Sequence, residues 1–185
     1  MKISKGKLPG IRLIEPSVYQ DHRGFFMESY SYESWCRQGI LLNFVQDNHS
    51  LSIEKGVLRG LHYQLNPMAQ SKLVRVTSGA VFDIAVDIRR NSPTYGQWEA
   101  YELSADNKLQ LLVPRGFAHG FCTLEPNTEV QYKVDQYYSP VHDRGIAWND
   151  PAIGITWPVV QPILSDKDAR HPRLEEADND FYFEG

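Results

Sequence analysis

From Gly79 to Arg89 the chain reads GAVFDIAVDIR, and Phe82, Ile84, Val86 and Ile88 alternate with less apolar neighbours. A period of two is the pattern of a β-strand, because successive side chains point to opposite faces. Other runs with strand character fall at 10–15, 24–30, 43–52, 57–64, 71–77, 97–103, 109–113, 119–125 and 128–137. Turn residues punctuate them, and Ser78-Gly79 predicts a hairpin ahead of the 82–88 strand. SYESWCRQG (31–39) is the one convincing early helix, with Ser31 as cap and Gly39 as stop. The tail SDKDARHPRLEEA is polar and helical only in pieces. Many short strands with short peripheral helices predict a mainly β fold, a sandwich or barrel.

At 185 residues and 42% hydrophobic, without repeat, low-complexity tract or linker, the chain is expected to form a single domain over 1–185. A net charge of −4 and a pI near 5.8 argue against nucleic acid or an anionic membrane as partner. Cys36 and Cys122 are expected to be buried free thiols, since two cysteines cannot staple a chain of this size. MKISKGKLPG lacks the apolar core of a secretory signal, and no run approaches the length of a membrane span. A cytoplasmic location is therefore expected.

Six histidines are present. His22, His142 and His171 stand in polar, loop-like contexts and are expected to be solvated; His49, after Asn48 in a strand, is ambiguous. His62 (GLHY) and His119 (FAHGF) lie among glycines and large apolar residues. A lone histidine in such a setting is more often a satisfied core group than a catalyst, but these two have company. Lys72 shares a period-2 face with Val74 and Val76, Tyr132 with Val130 and Val134, and Gln46 with Asn48. Buried polar groups destabilise unless paired, so an interior collecting this many reads as a polar cavity. In VLRGLHYQ (57–64), strict alternation puts Arg59 and His62 on opposite faces. A bulge at Gly60 is expected to bring both inward.

PRGFAHG (114–120) resembles the second cupin motif, P-x-G-x-x-H. The first cupin motif supplies a His-x-His pair and a glutamate to a metal. Here His62 keeps the first place, Gln64 takes the second histidine's and Lys72 the glutamate's. A cation in place of an anionic ligand repels a metal, so no metal is expected. More closely, the chain resembles the dTDP-4-dehydrorhamnose 3,5-epimerase family. The pieces that carry the likeness are DHRGFFMES (21–29), QDNHS (46–50), VLRGLHYQ (57–64), QSKLVRV (70–76), PRGFAHGF (114–121), Tyr132, YYSP (137–140), RGIAWNDP (144–151) and SDKD (165–168).

The resemblance implies a cupin-type jelly roll. It also implies epimerisation at C3 and C5 of dTDP-4-dehydro-6-deoxy-D-glucose, giving dTDP-4-dehydro-L-rhamnose for dTDP-L-rhamnose biosynthesis, with no cofactor. A keto group at C4 acidifies both flanking C–H bonds, so the reaction needs a base, a donor for the enolate and an acid on the other face. His62 fits the base, Lys72 the enolate stabiliser and Tyr132 the acid, and the resemblance makes Asp168 the residue that orients His62. It further implies that Arg23, Arg59 and Lys167 hold the diphosphate, and that Glu28, Gln46, Asp47, Asn48 and His119 line the sugar and nucleotide pocket. Tyr138 would stack on the thymine and Asp143 would contact the nucleotide. The family's homodimers exchange N-terminal strands, so Arg23 and Glu28 are expected to serve the partner's site. Two competing readings are an enzyme that inverts one centre or isomerises the keto group on a related dTDP-4-keto-6-deoxy sugar, and a non-catalytic sugar-binding jelly roll. The latter leaves Lys72 and the pairing of His62 with Tyr132 without a task.

Overall fold

The structure, a computed structural model, describes residues 1–184. In chain order the strands are β1 Lys2–Lys5, β2 Arg12–Glu15, β3 Val18–Asp21, β4 Gly24–Met27, β5 Gln46–Ser52, β6 Leu58–Gln64 and β7 Lys72–Ser78. They continue as β8 Ala80–Asp87, β9 Trp98–Ser104, β10 Gln110–Val113, β11 Phe117–Thr123, β12 Thr128–Val134 and β13 Asp143–Gly145. One sheet has the order β1-β2-β10-β7-β12-β5, the other β13-β6-β11-β8-β9, and β3-β4 form a separate hairpin. From β5 onward the pairing is nested and antiparallel: β5 with β12, β6 with β11, β7 with β10, β8 with β9. That wrapping is a jelly roll, as the resemblance implies.

Ser78-Gly79 is not a hairpin. β7 pairs with β10 and β12, whereas β8 pairs with β9 and β11. The turn instead carries the chain from one sheet to the other at a corner, with Gly79 at φ +72°. Residues 2–5, 18–21 and 143–145 form strands that the sequence pattern does not show. They are short, and two of them, KISK and VYQD, are too polar to alternate.

The inner faces of the two sheets meet around Val74, Val76, Val81, Ala85, Leu111, Phe117, Phe121 and Val130. The alternating set Ile84, Val86 and Ile88 faces the other way and packs under the C-terminal segment, against Ile153, Leu174 and Phe181. Both faces of β8 are therefore covered, and Asp83 on its inner face is fully buried. The outer face of the six-stranded sheet is capped by α1 (Tyr32–Cys36), whose Trp35 packs on Ile14, Leu73 and Leu112. Burial of each such aliphatic side chain is worth roughly 1.5–3 kcal/mol. Ser31 caps α1 by accepting from the Ser34 N–H, and Gly39 closes the following turn at φ +77°. The α-helix is shorter than the 31–39 expected. The two cysteines are free; Cys122 is buried, but Cys36 is only partly so. Among the described residues no helix is long and apolar enough to cross a membrane.

Candidate active site

The site begins with the local break in β6. His119 pairs with His62 and Phe121 with Arg59, so two steps on β11 match three on β6. The extra residue lies at Gly60-Leu61, where the peptide is cis. A Cβ on Gly60 would stand 2.6 Å from Gly120 Cα, and one on Gly120 would stand 2.8 Å from the Arg59 carbonyl oxygen. Only a pair of glycines allows the two backbones this approach. The bulge turns Arg59 and His62 into one cavity.

Two adjoining cavities, of about 150 and 240 Å³, share His62, Lys72, Tyr132 and Lys167. His62 comes from the five-stranded sheet; Lys72 and Tyr132 come from the six-stranded sheet facing it. His62 Nε2 meets Asp168 Oδ1 at 2.5 Å. Burial would raise the Asp168 carboxyl, but the imidazoles of His171 and His62 beside it and the Ser165 hydroxyl together bring it well below the usual carboxylate range. As a carboxylate Asp168 only accepts, so Nε2 of His62 carries the proton and Nδ1 keeps the lone pair. Desolvation lowers the His62 pKa, helped by the Lys72 and Lys167 charges and opposed by Asp168, which favours the neutral base.

The Lys72 ammonium donates to the His62 carbonyl oxygen at 3.3 Å, spanning the gap between the sheets. Desolvation and Lys167 push its pKa down to about 8, against the pull of Asp143 and Asp83. Burial raises the Tyr132 hydroxyl pKa, so that group stays a proton donor at neutral pH. One wall thus offers a neutral imidazole; the other offers a cation and a phenol. That set suits removal of a proton beside a carbonyl, stabilisation of the enolate and return of a proton from the opposite side.

Gln64, in the place of a cupin's metal ligand, is a clasp. Its amide donates to the Met68 carbonyl at 2.6 Å and the Tyr137 carbonyl at 3.1 Å, and its oxygen accepts the Ser139 N–H at 2.7 Å. The loop it holds carries Tyr138, whose ring is exposed and whose hydroxyl donates to Asp143 Oδ2 at 3.0 Å. Asp143 also pairs with Lys167. Gln46 accepts the Tyr138 N–H at 3.0 Å and donates to Asn48 at 2.9 Å, so this end of the cavity is one polar network. Arg59 binds Ser52 Oγ at 3.2 Å and the Leu51 carbonyl at 3.1 Å, with its head exposed.

Three of the expected residues stay outside. Asp47 lies on the opposite face of β5 from Gln46 and Asn48, and pairs with Lys133 at 2.8 Å. Its placement in the pocket is therefore corrected for this chain: alternation that turns its neighbours in turns Asp47 out. Arg23 is bound to Asp21 on the exposed β3-β4 hairpin, and Glu28 accepts from Ser34 at 2.9 Å. Neither lines the His62 cavity.

Three others were not foreseen. Asp83 holds His119 Nε2 at 2.9 Å. Ser50 lines the cavity with a buried hydroxyl that has no hydrogen-bond partner among the described residues. His171, expected in solvent, is folded beneath His62, its side chain only 9% exposed. His62, Asp168 and His171 bring potential ligand atoms within 4.8 Å of one another. The 2.5 Å from His62 to Asp168 is a hydrogen-bond length, though, and too short for two ligands sharing a tetrahedral ion. With Lys72 and Lys167 beside it, the cluster does not suit a metal.

Residues 5–176 match the family described as dTDP-4-dehydrorhamnose 3,5-epimerase. The protein of that name from Shigella flexneri is 52% identical over 179 residues, covering 96% of this chain and 98% of its own length. A solved structure of dTDP-4-dehydrorhamnose 3,5-epimerase from Bacillus anthracis, with TDP and pyrophosphate bound, superposes with a TM-score of 0.91 at 54% identity, covering 93% of this chain and 98% of that one. The dTDP-6-deoxy-D-glucose-3,5-epimerase of Legionella pneumophila, solved with dTDP-4-keto-L-rhamnose, gives 0.91 at 46% identity, covering 96% and 94%.

Proposed function

The chain belongs to the dTDP-4-dehydrorhamnose 3,5-epimerase family and is an isomerase of dTDP-L-rhamnose biosynthesis; on that premise we propose how its residues do the work. His62 Nδ1 takes a proton from C3 and from C5 of dTDP-4-dehydro-6-deoxy-D-glucose. Asp168 orients the imidazole and stabilises the imidazolium that results. The C–H electron pair passes to the C4 oxygen, where the Lys72 ammonium meets the developing charge. Tyr132 delivers a proton to the opposite face, and inversion follows. No metal or redox cofactor enters.

Arg59 and Lys167 hold the diphosphate, Gln46, Asn48 and His119 line the pocket, and Tyr138 stacks on the base, with Asp143 fixing its hydroxyl. The protein works in the cytoplasm as a single-domain subunit of a homodimer. The β3-β4 hairpin supports the dimer reading: Tyr19, Phe25 and Phe26 are 68%, 54% and 71% exposed, an apolar surface that an exchanged arm would cover. Arg23, on that hairpin, and Glu28, just after it, then reach the partner's site.

The single observation behind the reaction is that His62 and Tyr132 enter one cavity from facing sheets. The test is incubation with dTDP-4-dehydro-6-deoxy-D-glucose in heavy water, with NMR following C3 and C5. Exchange and inversion at both carbons are expected. Turnover at one carbon alone makes the chain a single-centre epimerase, and silence at both overturns the reading.

A further inference from the structure

His171 Nε2 lies 3.4 Å from Asp168 Oδ1, the same oxygen that meets His62 Nε2 at 2.5 Å. That buried nitrogen has no hydrogen-bond partner among the described residues, so the approach to Asp168 is close but unaligned. The His62 and His171 rings meet edge to face, with centroids 5.5 Å apart and planes at 77°. Gly145, the register partner of His62 on β13, leaves the space for this: a Cβ there would fall 2.4 Å from His171 Cε1. The single 3-10 turn Asp168–Arg170 sets Asp168 and His171 three apart, which stacks them on one side. Behind it, the Ala147 N–H donates to the Pro172 carbonyl at 2.8 Å and pins the residue after His171.

We infer that His171 is a positioning residue for the base: a second imidazole on the carboxylate that orients His62. Asp168 is hydrogen-bonded to His62 on one side and has the His171 ring 3.4 Å away on another, so His171 limits the rotation of Asp168. A second imidazole this close to the carboxylate also weakens the pull of Asp168 on the His62 proton, and His62 stays neutral to lower pH than it would with the carboxylate to itself. The longer separation makes this the weaker of the two contacts. The other groups that face His62 are Lys72 on β7, Tyr132 on β12, Lys167 beside Asp168, Arg59 on its own strand, His119 on β11 with Asp83 behind it, and Asp143 on β13. None of these changes when residue 171 is replaced.

The inference rests on His62 as the base, so its primary test does not need turnover. In protein labelled with 15N-histidine, His171→Phe keeps a ring against Gly145 and removes the ring nitrogens beside Asp168. The His62 titration is expected to move up by about half a pH unit. Enzyme assays are expected to show the acid limb of kcat/KM moving the same way, and kcat falling roughly tenfold with KM within about twofold. His171→Gln, whose amide reaches the same oxygen, is expected to restore both. If His171→Phe titrates and turns over as the parent does, or if Gln fares no better than Phe, the inference is wrong. A His62→Ala enzyme that still exchanges substrate protons would instead sink the reading of the base, a separable outcome.

Discussion

His62 and Tyr132 point into one cavity from opposite sheets of the jelly roll. A ring between them has the imidazole on one face and the phenol on the other. Tyr132→Phe removes only the hydroxyl, and the ring still packs with the inner-face core. In heavy water this variant is expected to exchange substrate protons while forming little inverted product, because His62 returns a proton to the face it came from. His62→Ala is expected to do neither. Loss of exchange in both variants would refute the division of roles.

Lys72 works only while protonated. Desolvation and Lys167 hold it down to about 8, so kcat/KM is expected to fall as the pH rises through that value. On the acid side His62, below its ordinary 6.5, is lost as base when the pH drops through its lowered pKa. The profile is therefore a bell with its acid limb below 6.5 and its alkaline limb near 8. Lys72→Ala is expected to fold normally, lose roughly 10²-fold in kcat and lose the alkaline limb. A parent profile flat well above pH 8 would take Lys72 out of the mechanism.

Gly60→Ala tests the bulge. The residue sits at φ +144°, and its Cβ would stand 2.6 Å from backbone. Strain and clash together are expected to destabilise by about 3 kcal/mol, lowering Tm by roughly 6–12 °C. An unchanged melting curve would show that the two backbones are not so close.

Exhaustive chelation is expected to leave turnover intact. Gln64 is occupied by three backbone groups, and Lys72 and Lys167 make the cavity cationic around His62. Activity lost on chelation and regained with one divalent metal would overturn the metal-free chemistry.

Period-2 alternation was enough to turn Lys72, Tyr132, Gln46 and Asn48 inward, because regular strands carry them. The conflict between Arg59 and His62 was itself the signal for the bulge. Asp83 escaped because the apolar residues around it took its strand's buried face, while β8 is covered on both sides. Asp168 lies in a 3-10 turn with no period to read, so only the family likeness could point to it. His171 was misjudged by its neighbours: Arg170 and Arg173 face solvent, and the imidazole between them does not. Ser78-Gly79 misled because the same turn residues serve hairpins and corners between sheets.

The nested wrapping of β5 to β12 also makes the site depend on distant parts of the chain. Gln46 must wait for Val134, and His62 for His119, before the sheets exist. Closing such long loops is what makes chains with distant pairings slow to fold. The carboxylate that aims the base lies farther off still, 106 residues along the chain from His62. The walls of the cavity and the group that orients its base thus come from separate stretches of the sequence. Only their meeting makes a directed base of the imidazole.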